Sequence, residues 1–152
     1  MLVCMTLSTV KEMIFDATAF GGLAFFVASI VFAAFFDSRL ALQLFAGLAL
    51  SYLVCFSIRW VYFRPRPDGS VIEHWYDRVT QSAFPSLHAT RVTALGVIAG
   101  VFFDDVWMWV FFSVMVFVTA WTRLLLKRHY VSDVIGGVIG GVLIAALVVI
   151  VW

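Results

Sequence analysis

Apolar residues come in long runs along this chain, and polar residues interrupt them only briefly. Five runs approach the roughly 20 residues needed to cross about 30 Å of hydrocarbon. They cover residues 17–36, 40–58, 85–103, 106–122 and 130–152. Asp37, Ser38 and Arg39 make the first break, and Asp104 and Asp105 part the third run from the fourth. A short basic stretch, Arg123 to His129, leads into the last. Residues 59–84 form the only long polar stretch and are expected to be loop. Pro85 opens the third run, where a helix's first turn tolerates the missing N–H. The pattern predicts an all-α integral membrane helical bundle of about five transmembrane helices, one domain over 1–152. In 1–16, Met5, Val10, Met13 and Ile14 alternate loosely with Ser8, Lys11 and Glu12. That fits an N-terminal interfacial helix and equally a frayed terminus. The same stretch lacks the basic start and cleavage site of a secretory signal, so the apolar runs are expected to be retained.

Composition supports this. Of 152 residues, 64% are hydrophobic and 12% charged, against about 25% charged in soluble domains. Too few polar residues exist to cover a water-facing surface, so a soluble globular fold is excluded. Cys4 and Cys55 stand in apolar surroundings and imply no disulfide framework. Gly136, Gly137, Gly140 and Gly141 give overlapping small-xxx-small pairs in the last run, which let helices approach closely in lipid. Close packing within the chain is the favoured reading over a dimer interface. Trp60, Trp75, Trp107, Trp109 and Trp152 fall near predicted helix ends, as in an aromatic belt.

The net charge of +1 matters less than its distribution. Five crossings put the N-terminus, the 59–84 loop and the 123–129 stretch on one side. Nine of the ten Lys and Arg residues lie there, with only Arg39 opposite, and His74, His88 and His129 lie there too. The positive-inside rule accounts for basic loops, but not for histidines or for cations where burial begins. Arg59, Arg91, Arg123 and His129 occupy such positions, and ionisable groups at that depth usually mark function. Clustered arginines suit an anion, because a guanidinium fork matches phosphate oxygens.

The cluster resolves into three spaced motifs. The first is Arg59, six residues, then Arg66-Pro67; the second is Pro85-Ser86-Leu87-His88; the third is Thr122-Arg123, five residues, His129, three residues, Asp133. Asp133 follows His129 by four residues, so a helix starting at His129 would put both on one face. A carboxylate there could fix the imidazole tautomer and leave the other nitrogen free to attack. His88 falls in a predicted first turn, where a second histidine could give a leaving group its proton. Ser86 is placed both to cap that helix and to donate to an anion at its N-terminus. The remaining basic positions stay open. Arg91 could extend the anion site or pair with an acid such as Asp133. Arg64, Arg78, His74, Glu73 and Asp77 fit a solvated loop better than a lid, and Lys127 and Arg128 fit anionic headgroups.

Together the motifs resemble those of the type 2 phosphatidic acid phosphatase superfamily: Lys-x6-Arg-Pro, Pro-Ser-Gly-His and Ser-Arg-x5-His-x3-Asp. The resemblance covers 59–133 and the surrounding helices fit the membrane-embedded branch. It implies catalysis by His129 as nucleophile through a phosphohistidine, His88 as general acid and Asp133 as the orienting carboxylate. It implies phosphate binding by Arg59, Arg66, Ser86, Leu87 and Arg123. Arg59 stands where the family has lysine, Leu87 where it has glycine, and Thr122 where it has serine. Leucine does not readily take positive φ, so Leu87 bears on the loop geometry. No metal-ligand spacing occurs in the sequence, and the family works without metal, so neither metal nor cofactor is expected.

The leading expectation is hydrolysis of a lipid phosphomonoester or diphosphate: polyprenyl diphosphate, phosphatidic acid, phosphatidylglycerol phosphate or lipid A phosphate. Alternatives are a lipid phosphotransferase with the same chemistry and a non-catalytic anionic-lipid-binding protein. Expected partners are the lipid phosphate and membrane lipids, with no nucleic acid, and the chain acting as a monomer or weak homo-oligomer. The expected location is the cell membrane, as a multi-pass protein, with the side carrying the site left open.

Overall fold

The structure, a computed structural model, describes residues 18–69 and 74–152. The anticipated N-terminal interfacial helix, Glu73 and the Asp77 side chain lie outside what is described. A 3₁₀ turn, Thr18–Gly21, is followed by α1 (Leu23–Ala34), α2 (Ser38–Val61), α3 (Trp75–Gln81), α4 (Leu87–Phe103), α5 (Val106–Leu125) and α6 (Val131–Val151). The described residues are helical with no strand, as the hydrophobic runs predict for a helical membrane bundle.

The turns are capped by the residues that broke the apolar pattern. Asp37 accepts from Leu40 N–H at 2.9 Å and so starts α2. Asp105 accepts from Trp107 and Met108 N–H at 2.8 and 3.1 Å and starts α5. These side chains satisfy helix N–H groups that have no intrahelical partner. Between them, Asp104 ends α4 in the left-handed conformation, with φ 46°.

Three helices, α2, α5 and α6, are long and apolar enough to cross a membrane, whereas α1 and α4 are shorter apolar helices. The first run was expected to be helical from 17; α1 instead begins after Gly21 and Gly22. The Gly21 carbonyl accepts from Arg91 Nη2 at 2.6 Å. A β-carbon on Gly21 would lie 2.8 Å from Thr119 Cγ2 and 3.0 Å from His88 Cβ. The turn is therefore clamped between α4 and α5, which stops helix from running through it. The polar stretch, expected to be loop, contains the seven-residue α3.

α4 is the central helix and contacts α2, α5 and α6. The apolar core joins Phe26 of α1, Leu40, Leu44 and Leu48 of α2, Leu95 and Ile98 of α4, and Ala145 and Val148 of α6. The glycine pairs of α6 serve this packing. A β-carbon at Gly137 would lie 2.6 Å from the Ser86 carbonyl oxygen, and one at Gly141 2.6 Å from that of Thr90. Only glycine lets α6 approach the α4 backbone that closely. Outward-facing Phe32, Leu143, Trp107 and Ile150 are exposed, as a lipid-facing surface requires.

Candidate active site

Four segments converge where α4 and α6 begin. Arg59 lies in the last turn of α2, Arg123 in the last turn of α5, Ser86 holds the N-cap position of α4 without the expected side-chain capping bond, and His129 immediately precedes the cap of α6. Cations in a last turn face the negative end of a helix dipole, a favourable placement before any ligand is considered. Lys127, at φ 52°, turns the chain sharply after α5 and brings His129 back over the bundle.

His129 is buried, and its Nδ1 lies 2.7 Å from the Ala83 carbonyl oxygen. A carbonyl only accepts, so Nδ1 carries the proton and Nε2 carries the lone pair. Burial is the main cause that pushes the His129 pKa down to about 3, and Arg123, Arg66 and Arg59 add to it, while the Ala83 hydrogen bond opposes them. The ring is neutral at physiological pH, the state a nucleophile needs.

Asp133 does not hold His129 as the four-residue spacing predicted. Because α6 starts at Val131, His129 lies outside the helix and the same-face argument does not apply. Asp133 Oδ2 is 4.0 Å from His129 Nδ1, beyond hydrogen-bonding distance, and accepts from Tyr130 N–H at 2.7 Å. Its Oδ1 accepts from Arg64 Nη1 at 2.7 Å. Asp133 is thus a fully buried, paired carboxylate beside the imidazole, and the direct acceptor is the Ala83 carbonyl.

The arginines divide by what they touch. Arg59 donates to the carbonyls of Val79, at 3.1 Å, and Pro85, at 2.7 Å. Arg66 donates to the Thr80 carbonyl at 3.0 Å. Both therefore hold the C-terminal end of α3, and Arg59 also holds the Pro85 turn. Burial, with Arg128 beside it, lowers the Arg66 pKa from its ordinary value. Arg91 donates to Tyr52 Oη at 2.7 Å and to Gly21, so it ties helices together and does not pair with Asp133. The Nε of Arg59, Arg66 and Arg123 and the Oγ of Ser86 are buried without a hydrogen-bond partner among the described residues. Buried donors left unpaired are costly and call for a ligand or water. Arg123, Arg91 and Arg59 act electrostatically on His88, and so does His129, which puts both histidines in one cationic field.

Leu87 is the first residue of α4 and does not take positive φ; among non-glycine described residues only Asp104 and Lys127 do. Its backbone N–H thus belongs to a helix N-terminus, a favourable place for an anion.

The sequence reading missed Arg64 and Ala83. Arg64 was assigned to solvated loop but pairs with Asp133. Its signal was the Arg64-Pro65-Arg66-Pro67 run, in which each proline keeps the preceding arginine extended. Ala83 acts through its carbonyl, which no side-chain motif reveals. A cavity of about 670 Å³ elsewhere in the bundle is not this site. It is apolar, lined by Phe25, Phe32, Phe36, Phe102 and Phe112 among others, and lies toward the Asp37 and Asp104 end of the bundle. No group of three or more His, Cys, Asp or Glu side chains able to hold a metal ion occurs among the described residues.

Residues 40–152 match the family model of the PAP2 superfamily. The chain belongs to the PAP2 superfamily. A decaprenylphosphoryl-5-phosphoribose phosphatase of Mycobacterium tuberculosis is 34% identical over 103 residues, 68% of this chain. The chain spans just over half of that relative, 56% of its length. Among solved structures, Aquifex aeolicus LpxE superposes with a TM-score of 0.79 at 14% identity, covering 93% of this chain and 86% of that one. A transmembrane PAP2 type phosphatidylglycerolphosphate phosphatase from Bacillus subtilis superposes with a TM-score of 0.63 at 22% identity, covering 91% of this chain and 74% of that one. At those identities the likeness speaks for the fold. PAP2 membership accords with the three motifs, their order and the helical bundle around them.

Proposed function

We propose that this chain is a membrane lipid phosphatase that removes phosphate from an amphiphilic monoester or diphosphate through a phosphohistidine on His129. The observation that carries this reading is one arrangement. A neutral, buried histidine with Nε2 unprotonated shares a cationic pocket with buried donors that lack partners. A phosphate group would satisfy those donors and bring its phosphorus to the imidazole.

In the first step Nε2 of His129 attacks phosphorus, a P–N bond forms and the P–O bond to the lipid breaks. His88, half-buried at the start of α4, supplies the proton that the leaving oxygen needs. In the second step water attacks phosphorus and gives a proton back to His88, the P–N bond breaks, and inorganic phosphate leaves with His129 and His88 both regenerated. Arg123, Arg66 and Arg59, with Ser86 Oγ and the Leu87 N–H, stabilise charge on the equatorial oxygens, where such preorganised donors act most strongly. No step requires a metal ion.

The substrate's tail stays in the bilayer while its head reaches the arginines. The matched relative is named for decaprenylphosphoryl-5-phosphoribose, which makes a polyprenyl-linked phosphomonoester the first substrate to test, ahead of phosphatidic acid and phosphatidylglycerol phosphate. The chain is proposed to cross the cell membrane five times, with α1 and α4 as the short crossings. The test is phosphate release from a panel of these lipids in mixed micelles, with no acceptor added. Acid-labile, base-stable labelling of the wild type, absent from His129→Ala, is expected. Lipid turnover by His129→Ala sinks the assignment, and transfer only to an added acceptor makes the enzyme a phosphotransferase.

A further inference from the structure

Arg64 touches both groups that face His129 Nδ1. Its Nη1 donates to Asp133 Oδ1 and to Ser132 Oγ, each at 2.7 Å, and its guanidinium lies 4.3 Å from the centre of the Tyr130 ring. Its backbone N–H donates to Ser82 Oγ at 3.2 Å, and its carbonyl accepts from Ala83 N–H at 2.8 Å. The same residue therefore fixes the Asp133 carboxylate through its side chain and the Ala83 peptide through its main chain. Those are the groups 4.0 Å and 2.7 Å from Nδ1.

We infer that Arg64 is a positioning residue for His129, its side chain holding the Asp133 carboxylate beside Nδ1 and its main chain holding the Ala83 peptide whose carbonyl accepts from Nδ1–H. The inference rests on the reading of His129 as nucleophile. When Nε2 bonds to phosphorus the imidazole gains positive charge, and its Nδ1–H is drawn toward the carbonyl and the nearby carboxylate. With Arg64 gone, Asp133 Oδ1 is buried beside Arg59, whose field it shares, and has no partner. The carboxylate then turns toward the arginines of the phosphate pocket and leaves the imidazole. Arg64 does not act as a substrate ligand in this scheme, because its Nη1 is committed to Ser132 and Asp133.

The test uses the full chain in bicelles, labelled with ¹⁵N-histidine, and dioleoyl phosphatidic acid as probe substrate. The wild type is expected to show the Nδ1–H tautomer at His129. Arg64→Met, which keeps the main-chain bond to Ala83, is expected to keep that tautomer, to shift the His129 ring resonances as the carboxylate moves away, and to show a kcat about 10- to 100-fold lower, the usual cost of losing an orienting partner, with KM within twofold. Arg64→Lys is expected to recover most of kcat, because both side-chain bonds come from one nitrogen and an ammonium can make the same pair. In an Asp133→Asn background, Arg64→Met is expected to cost less than twofold more. A rise in KM at unchanged kcat would make Arg64 a substrate contact and overturn the inference, as would His129 ring resonances that do not move in Arg64→Met. Should Arg64→Met fail to fold, Arg64→Gln carries the same comparison. If the wild type releases no phosphate from any lipid, the proposed function fails, while the comparison of His129 ring resonances still decides the role of Arg64.

Discussion

The Ala83 carbonyl, 2.7 Å from Nδ1, decides which nitrogen of His129 is free. A main-chain oxygen cannot be protonated or titrated near neutrality, so the tautomer it selects holds across the working pH range. A carboxylate in that position would add a titration of its own.

His129 therefore sets a pH expectation with a definite sign. Its pKa, pushed down to about 3 in the fold, lies below the ordinary value of about 6.5. Above about pH 3 the folded imidazole is neutral and competent. An acid limb of kcat/KM near 6.5 would belong to another group. Below 6.5 the unfolded chain binds the extra proton more readily, so stability falls as pH drops from about 6.5 toward 3. Thermal unfolding in detergent at several pH values checks this, and His129→Ala should flatten that slope.

His88→Asn separates the two histidines. Loss of a general acid costs roughly 10²- to 10⁴-fold with an alkoxide leaving group. With p-nitrophenyl phosphate, whose leaving group needs no proton, the first step should be largely spared. Comparing kcat on the two substrates is the measurement, and equal losses would remove His88 from the role.

Arg123→Ala should lower kcat by about 10²- to 10³-fold, the cost seen when one transition-state donor is removed. Among the described residues its Nε is buried and unpartnered, and its side chain holds no backbone carbonyl. Thermal stability should therefore hold while turnover falls. Arg59→Ala should lower both, because two carbonyls lose their donor. Melting curves run alongside kinetics distinguish the two variants.

Gly137→Ala and Gly140→Ala make a matched pair on α6. A β-carbon at Gly137 meets the Ser86 carbonyl oxygen at 2.6 Å, whereas at Gly140 the nearest atom is Thr90 Cγ2 at 4.0 Å. Overpacking of this kind costs about 1–3 kcal/mol, so Gly137→Ala should lower the melting temperature and displace Ser86. Gly140→Ala should be neutral or mildly stabilising, since alanine favours helix over glycine.

Much of this was legible in the chain, and for identifiable reasons. The turns at Asp37 and Asp104–Asp105 interrupt the apolar runs and cap the helices that follow, so pattern and structure coincide there. The three motifs named His88, His129 and the arginines, because charged and titratable side chains at membrane depth are costly. What stayed hidden depended on backbone atoms and on helix ends. The start of α1 is displaced because a distant guanidinium, Arg91, takes the Gly21 carbonyl. The His129–Asp133 spacing misled because α6 begins two residues after His129, which removes the helical register the argument assumed. Arg64 looked like a loop cation because the Arg-Pro run around it signals an extended backbone but not its partner Asp133, which lies 69 positions away.

Arg59 fastens the Val79 and Pro85 positions through their carbonyl oxygens alone. Main-chain oxygens are the same whatever side chain they carry. The segment from α3 to the Pro85 turn can thus be rewritten, as far as this fastener is concerned, without loosening the phosphate end of the site. A chimera that grafts α3 side chains from a relative should therefore keep these bonds and melt close to the parent.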